Sequence, residues 1–219
     1  MITQYEEKLN RLAYLVLDWN EKINVTAVRE RGEFMKKNVY DSLTILNLPE
    51  FSEAARILDL GTGGGFPGLP LAVCCPDKEF VLMDSVGKKL KVVADVAEKL
   101  GLKNVQVVHA RAEDLARDKS FRESFDLTVS RAVANMSTLT EYCMPFVRVG
   151  GMFAAYKTRA AADEIDAAAK AVRLLGGAPV RIIDNGEAED DHIFVLVEKI
   201  SPTPAKYPRK AGLPSKQPL

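Results

Sequence analysis

The sequence predicts an α/β fold in which a mostly parallel, seven-stranded sheet with an antiparallel last strand lies between helices. From residue 55 onward, short apolar runs rich in β-branched residues alternate with amphipathic segments, and this alternation favours a parallel sheet covered by helices. The first 50 residues carry only a helical pattern, which predicts an N-terminal helical extension. A glycine-rich loop follows the first predicted strand, which is where such sheets bind ligands.

Hydrophobic spacing places the individual elements. Apolar residues at three- and four-residue steps predict helices over 3–24 and 31–48, and we expect Pro49 to end the second. Strands are predicted at 56–60, 80–84, 105–108, 125–130, 152–156, 179–184 and 192–199. The segments between them predict helices at 67–75, 87–100, 136–147 and 159–175. An acidic turn around 184–191 joins the last two strands into a hairpin.

These patterns divide the chain into a helical extension (1–50), a sheet domain (51–200) and a basic, proline-rich tail (201–219). The tail holds four basic residues and no acid, so it is either a solvated segment or a segment that is packed or contacts RNA.

Composition excludes several classes of protein. The chain has 219 residues, with 30 basic and 30 acidic side chains, and a zero balance argues against a protein that coats nucleic acid regardless of sequence. A local basic patch remains compatible with an RNA substrate. No signal peptide or membrane span is visible, and three cysteines and two histidines supply neither a disulfide framework nor a metal site. We expect a cytoplasmic protein, with reduced thiols and acting as a monomer.

The strongest chemical signal is the segment DLGTGGGFPG at residues 59–68. It fits D-x-G-x-G-x-G through Asp59, Gly61, Gly63 and Gly65, and glycines there let the backbone turn sharply beneath a ligand. Read from Gly63, the same loop fits G-x-G-x-x-G, so a nicotinamide dinucleotide is an alternative ligand. A tight turn that binds nothing is the remaining reading, although such a turn rarely needs four glycines in five residues.

Two acidic positions follow the next strands. Asp84 ends the second strand, where a carboxylate can accept both hydroxyls of a ribose; alternatively it caps the following helix. Glu113 follows the third strand, where an adenine would lie along the sheet edge. Its carboxylate can face the exocyclic amine, or the backbone of Ala112 and Glu113 can read the ring. Glu113 can equally be a first-turn acid favoured by the helix dipole.

If the ligand is S-adenosylmethionine, the residues after the fourth strand indicate the methyl acceptor. This chain has Ser130-Arg131-Ala132-Val133 there, and not the Asn/Asp-Pro-Pro-aromatic turn of amino-group methylases. Cys74 and Cys75 fall in an apolar helical run and Cys143 in an amphipathic helix, which disfavours the nucleophilic thiol that carbon-5 methylation needs. Guanine N7 fits these absences, because it offers a lone pair and has no proton for a general base to remove. No catalytic residue is therefore assigned. Arg131 contacts either the methionine carboxylate or an RNA phosphate, or else forms a surface salt bridge.

The same segments resemble the RsmG family, also called glucose-inhibited division protein B. The resemblance covers nearly the whole chain and includes Trp19-Asn20, Asn24-Val25-Thr26, Asp41-Ser42-Leu43, the glycine loop, Asp84-Ser85, Lys88-Lys89, Ala112-Glu113, Ser130-Arg131-Ala132 and the tail YPRKAGLP at 207–214. It implies the class I S-adenosylmethionine-dependent methyltransferase fold, which is Rossmann-like, and N7 methylation of one guanosine in the 530 loop of 16S rRNA. It also implies that the tail helps to hold RNA.

Together, pattern and resemblance give the expected site. The residues expected to bind S-adenosylmethionine are Asp59, Gly61, Gly63, Gly65, Phe66, Asp84, Ser85, Ala112, Glu113 and Arg131. Those expected to contact the RNA are Lys157, Arg209 and Lys210. One departure is visible: many family members have a histidine before the Asp-Ser-Leu motif, whereas this chain reads Lys-Asn-Val-Tyr-Asp over 37–41. Two rival functions stay open, an NAD-dependent oxidoreductase and a non-catalytic RNA-binding module with a vestigial cofactor pocket.

Overall fold

The computed structural model describes residues 2–184 and 191–219, so most of the predicted acidic turn lies outside the described residues. Within them the chain forms a seven-stranded sheet of β1 (Arg56–Leu60), β2 (Glu79–Asp84), β3 (Val105–His109), β4 (Phe125–Arg131), β5 (Val147–Thr158), β6 (Arg181–Asp184) and β7 (His192–Glu198). The strand order is β3-β2-β1-β4-β5-β7-β6. Strands β1 to β5 are parallel, and β7 is antiparallel to both β5 and β6. The predicted fold class is confirmed.

The central strands of the sheet are buried on both faces, as their apolar sequences require, whereas the edge strands β3 and β6 are partly exposed. Side chains alternate between two cores along each central strand. In β2, Phe80 and Leu82 face one core, while Val81 and Met83 face the other. The β1 strand is buried from Ile57 to Leu60, which places its carboxyl end deep in the molecule.

Helices cover both faces of the sheet. They are α1 (Glu6–Asn20), α2 (Arg31–Phe34), α3 (Asp41–Leu43), α4 (Pro49–Glu53), α5 (Gly68–Cys74), α6 (Gly87–Lys99), α7 (Ala112–Leu115), α8 (Met136–Cys143), α9 (Ala162–Ala167), α10 (Ala169–Leu174) and α11 (Leu213–Lys216). The N-terminal helices pack with α5 and α6 on one face, and α7 to α10 pack on the other. In the described part of the chain, none of these helices combines the length and apolar character that a bilayer span needs.

The N-terminal helices differ from the prediction in two places. A π-helical stretch, Met35–Tyr40, joins α2 to α3. Pro49 does not simply end the second helix, because Leu48 is already extended and Pro49 then becomes the first residue of α4. Proline suits that position, where its missing N–H leaves no helical hydrogen bond unmade.

Strand β5 also begins at Val147 and not at 152, pairing with Phe125 before a register shift.

The C-terminal tail is packed against the sheet domain. Backbone carbonyls of the tail accept hydrogen bonds from Arg117 (to Pro208, 2.7 Å) and Arg122 (to Tyr207, 3.0 Å). The Thr138 hydroxyl donates to the Pro214 carbonyl at 3.0 Å. These contacts rule out a fully solvated tail. The division of the chain into extension, sheet domain and tail as separate units stays a prediction.

Candidate active site

A cavity of about 910 Å³ opens at the carboxyl ends of β1, β2 and β4. Strands β2 and β3 lie on one side of β1, and β4 and β5 lie on its other side, so the order of the strands reverses between β1 and β4. The cavity therefore lies at the topological switch point, where open α/β sheets bind their ligands. Its volume lies within the range of small-molecule sites. Nine of the predicted site residues line it, namely Gly61, Gly63, Phe66, Asp84, Ser85, Ala112, Glu113, Arg131 and Lys157; Asp59, Gly65, Arg209 and Lys210 do not.

The glycine loop connects β1 to α5 and forms the floor of the cavity. Gly61, Gly63 and Gly65 have φ angles of 74°, 56° and 98°, which L-residues with a Cβ rarely adopt. A Cβ at Gly61 would lie 2.4 Å from Cγ2 of Val133, and one at Gly65 would lie 2.3 Å from Cδ1 of Leu69. The loop therefore needs glycine for its own backbone and packing, and the bare backbone it leaves borders an open cavity.

Asp59 lies beneath the loop and supports it from inside. One carboxylate oxygen accepts hydrogen bonds from the Thr62 hydroxyl at 2.6 Å and the Gly68 amide at 2.8 Å. The side chain is fully buried, and this burial raises the pKa of Asp59 to about 6 against the lowering effects of Thr62, Gly68 and the Arg131 charge. Asp59 holds the loop in shape and does not border the cavity, so its predicted role in binding is indirect.

Asp84, at the end of β2, fixes the opposite side of the loop. Its Oδ2 accepts from the Gly63 amide at 2.9 Å, and its Oδ1 accepts from the Val86 amide at 2.8 Å. Asp84 thus closes the turn before α6 but does not cap that helix, whose N-cap is Val86 without a side-chain hydrogen bond. Asp84 also borders the cavity. Each carboxylate oxygen has a second lone pair, so these bonds leave acceptor capacity for ribose hydroxyls. Ser85 borders the cavity beside it, and its carbonyl oxygen lies 3.1 Å from Nε2 of His109.

Arg131, at the end of β4, pairs with a residue of the N-terminal extension. Its Nη1 lies 2.7 Å from Oδ2 of Asp41, and the two side chains are 17% and 6% exposed. The other Asp41 oxygen lies 2.7 Å from Nδ1 of His192 at the start of β7. The Arg131 guanidinium also lies over the Phe66 ring, 5.9 Å from its centroid. Arg131 therefore forms a salt bridge, but within the cavity wall and not on the open surface.

The family model for rRNA small subunit methyltransferase G (GidB) matches residues 5–194. The chain belongs to this family. Curated proteins named ribosomal RNA small subunit methyltransferase G include one from Clostridium tetani, 45% identical over 207 residues that make up 94% of this chain and 87% of the relative. Another, from Brevibacillus brevis, is 41% identical over 216 residues, which are 98% of this chain and 91% of that one. The resemblance predicted from the sequence is confirmed.

Two solved structures share the fold at low identity. The S-adenosylmethionine-dependent methyltransferase SibL, in its apo form, aligns with a TM-score of 0.61 and 18% identity over 81% of this chain and 60% of its own. An S-adenosylmethionine-dependent O-methyltransferase from Thermotoga maritima aligns with a TM-score of 0.56 and 14% identity over 85% of this chain and 71% of its own. They support the class I methyltransferase fold.

The Asp41–His192 contact was not predicted. Asn38, which precedes the Asp-Ser-Leu motif, has its Oδ1 3.5 Å from Nη2 of Arg131. The structure brings the His192 imidazole to Asp41 from 151 residues further along the chain. No local pattern signals a contact over that separation; the only clue was the Asp41-Ser42-Leu43 motif itself.

Glu113 connects the cavity to the C-terminal tail. It is buried in α7, and its Oε1 accepts a hydrogen bond from the Gly212 amide at 2.9 Å. Gly212 and Ser215 of the tail themselves border the cavity. The tail therefore completes the part of the wall that Ala112 and Glu113 begin. Whether Glu113 also contacts an adenine stays a prediction, and one of its oxygens already has a partner.

The three residues predicted to contact RNA have different surroundings. Arg209 is held by Glu141, with Nε 2.9 Å from Oε1 and Nη2 2.6 Å from Oε2. Lys157 borders the cavity, but its Nζ donates to Glu164 at 2.5 Å and to the Ala134 carbonyl at 2.9 Å. Lys210 is exposed. These contacts give Arg209 and Lys157 structural partners; RNA binding by all three stays a prediction.

A second wall of the cavity comes from the end of α1. The Asn20 side chain is buried, and its Oδ1 accepts from the amides of Val25 (2.7 Å) and Thr26 (2.9 Å), while its Nδ2 donates to the Thr26 carbonyl at 3.1 Å. This clamp presses Val25 against the glycine loop, since a Cβ on Gly64 would lie 2.4 Å from Cγ1 of Val25. The structure thus accounts for Asn20, Val25 and Thr26 of the two motifs as parts of one wall.

Proposed function

We propose that the chain transfers the methyl group of S-adenosylmethionine to N7 of one guanosine in the 530 loop of 16S rRNA. Membership of the rRNA small subunit methyltransferase G family supports the reaction class and the RNA. The single observation that carries the proposal is the open cavity over the glycine loop, at the switch point of a class I methyltransferase sheet. We further expect the protein to act as a monomer in the cytoplasm.

The residues of the cavity fit an adenosyl ligand. The floor over Gly61 and Gly63 offers backbone without side chains, and the Asp84 carboxylate beside it retains lone pairs for ribose hydroxyls. Ala112 and Glu113 border the end of the cavity that an adenine would occupy. When bound, S-adenosylmethionine supplies an electrophilic methyl group on a sulfonium centre.

The protein's part in the chemistry is to position the acceptor. Guanine N7 carries a lone pair and no proton, so its methylation does not require a general base. What remains is to hold that lone pair in line with the methyl group, about 3 Å away, and alignment of this kind supplies much of an enzymatic rate. The walls built by Val25 and Thr26 on one side and by Arg131 and Tyr156 on another restrict how a base can enter.

The rival functions have less support. The glycine loop can be read in the dinucleotide frame from Gly63, but membership of the methyltransferase family does not favour an oxidoreductase. A non-catalytic RNA-binding protein does not need an open cofactor cavity. This chain keeps a cavity of about 910 Å³ and the hydrogen bonds by which Asp59 and Asp84 support the glycine loop, which disfavours that function.

The direct test is methylation of ribosomal particles. Small subunits from a strain that lacks the modification are incubated with the protein and methyl-labelled S-adenosylmethionine, and the labelled nucleotide is mapped by chain cleavage at N7-methylguanosine. We expect one labelled guanosine in the 530 loop. An Asp84→Ala variant, which loses the carboxylate at the cavity, serves as the control and should give no label. Labelling at another atom or in another RNA would refute the proposed substrate, and absence of label despite cofactor binding would refute the activity.

A further inference from the structure

Charged side chains of both signs border the cavity. Among the described residues, five basic side chains line it, Lys37, Lys89, Arg111, Arg131 and Lys157, together with three acidic ones, Asp41, Asp84 and Glu113. Two of the basic side chains are paired with carboxylates outside the lining, Lys37 with Glu33 and Lys157 with Glu164, each at 2.5 Å. An uncompensated cation in the wall would disfavour a bound sulfonium, because like charges in a partly desolvated site repel more strongly than in water. Each carboxylate of the cavity should therefore affect how strongly the site binds a positively charged ligand relative to a neutral one.

Asp41 is the carboxylate that compensates Arg131. Both of its oxygens are engaged, one by the Arg131 guanidinium and one by the His192 imidazole, each at 2.7 Å. Its side chain is 6% exposed, so solvent screens this pair weakly. Arg131 also donates to the Lys37 carbonyl at 3.2 Å and lies 3.5 Å from Oδ1 of Asn38. The buried Asp59 carboxylate and the Tyr156 phenol act on its charge as well, and the Tyr156 hydroxyl donates to the Ser42 carbonyl at 2.8 Å.

We propose that Asp41, supplied by the N-terminal extension, is the counter-charge that lets the cavity accept a sulfonium beside Arg131. The inference rests on the proposed function, since it presumes S-adenosylmethionine as the cofactor. S-adenosylhomocysteine, the product of methyl transfer, has the same adenosine, carboxylate and ammonium groups but a neutral thioether. The ratio of the two dissociation constants therefore isolates how the site responds to the sulfonium charge alone.

The experiment measures both dissociation constants by calorimetry for the wild type and for Asp41→Asn. This substitution keeps the shape of the side chain and one acceptor oxygen, replaces the other oxygen with an NH2 donor, and removes the charge. We expect the ratio of the S-adenosylmethionine constant to the S-adenosylhomocysteine constant to rise by about tenfold, which corresponds to about 1.4 kcal/mol. Coulomb interactions of this size are expected between unit charges about a nanometre apart at the effective dielectric constant of a protein surface.

Further variants separate charge from structure. Arg131→Gln should change the ratio in the opposite direction, because it removes the repelling cation, and the double variant should return it to within about threefold of the wild type. Any contact between Arg131 and the ligand carboxylate affects both ligands equally and leaves the ratio unchanged. Asp126→Asn is the matched control: it breaks an Asp–Arg pair with Arg148 (2.6 Å) near the amino end of β4, away from the cavity, and should not alter the ratio.

Each outcome bears on one hypothesis. If the wild type binds neither ligand, the proposed function fails. If it binds both and Asp41→Asn weakens both by the same factor or neither, the counter-charge inference is overturned. Should Asp41→Asn fail to fold, Arg131→Gln decides: a lowered ratio supports the inference and an unchanged ratio overturns it.

Discussion

Replacing Arg209 tests whether the tail arginine holds the tail in place or holds RNA. The Arg209 guanidinium binds both oxygens of Glu141, and its backbone amide donates to the same carboxylate at 2.8 Å. This hydrogen bonding raises the pKa of Arg209, while burial acts in the opposite direction. Glu141 itself is fully buried in α8. The substitution Arg209→Ala would therefore leave a buried carboxylate without its cation.

The expected cost follows from that burial. Removing one partner of a buried ion pair destabilises a protein by about 3–5 kcal/mol. We expect the lower end, about 3 kcal/mol, because 21% of the Arg209 side chain is exposed and so partly screened by solvent. For a chain of 219 residues this corresponds to a fall in the melting temperature of about 6–12 °C.

The assay is unfolding by denaturant and by heat, with Lys210→Ala as the control. Lys210 is the exposed neighbour, and its loss should change the free energy of unfolding by less than about 0.5 kcal/mol. Replacing Glu141 by leucine in the Arg209→Ala background removes the stranded charge and should recover part of the stability. If Arg209→Ala were as stable as the wild type and bound ribosomal particles more weakly, Arg209 would be an RNA contact and the structural role would be wrong.

Three more substitutions probe the loop and its supports. Burial raises the pKa of Asp59 from 3.8 to about 6, so the folded state favours the protonated form of this carboxyl group. The stability that the proton contributes is complete below the unfolded pKa of 3.8 and is lost as the pH rises through 6. The free energy of unfolding of the wild type relative to Asp59→Asn should therefore fall by about 2.5 kcal/mol between pH 4 and pH 7.5 in denaturant titrations. Gly61→Ala combines an unfavourable φ of 74° with a steric clash, and it should weaken S-adenosylhomocysteine binding by at least about tenfold in calorimetry. Its control is Gly101→Ala, which has a φ of 64° and open space around its Cβ and should cost only about 1–2 kcal/mol of stability. If both variants bound S-adenosylhomocysteine equally well, the role of the loop would be contradicted. Asn20→Ala removes the hydrogen bonds that hold Val25 and should weaken S-adenosylhomocysteine binding by about five- to tenfold. Asn20→Asp keeps the acceptor oxygen and should weaken this binding by less. An unchanged affinity in Asn20→Ala would show that Val25 and Thr26 do not contribute to the ligand site.

The sheet and the glycine loop were predictable because their signals are local. Each strand of the sheet is a short apolar run, and the φ angles of Gly61, Gly63 and Gly65 show why the loop sequence needs glycine at alternate positions. The boundaries of the helices were not predictable where one local rule allows two outcomes. Pro49 can stop one helix or start the next, and the structure shows that it starts α4.

The contacts that shape the site between distant segments were not predictable. Asp41 and His192 are 151 residues apart, Arg209 and Glu141 are 68 apart, and Glu113 and Gly212 are 99 apart. Spacing rules describe neighbours on one helix or strand and carry no information on such pairs. The motif resemblance indicated that these residues matter, but only the folded chain shows which side chains share a partner.

The most direct test of the account is a crystal structure of the protein with S-adenosylhomocysteine. It should show the ligand over Gly61 and Gly63, with its ribose hydroxyls within hydrogen-bonding distance of the Asp84 carboxylate and its adenine beside Ala112. A ligand bound elsewhere, or an Asp84 side chain that points away from the ribose, would contradict the assignment of this cavity as the methyl-donor site.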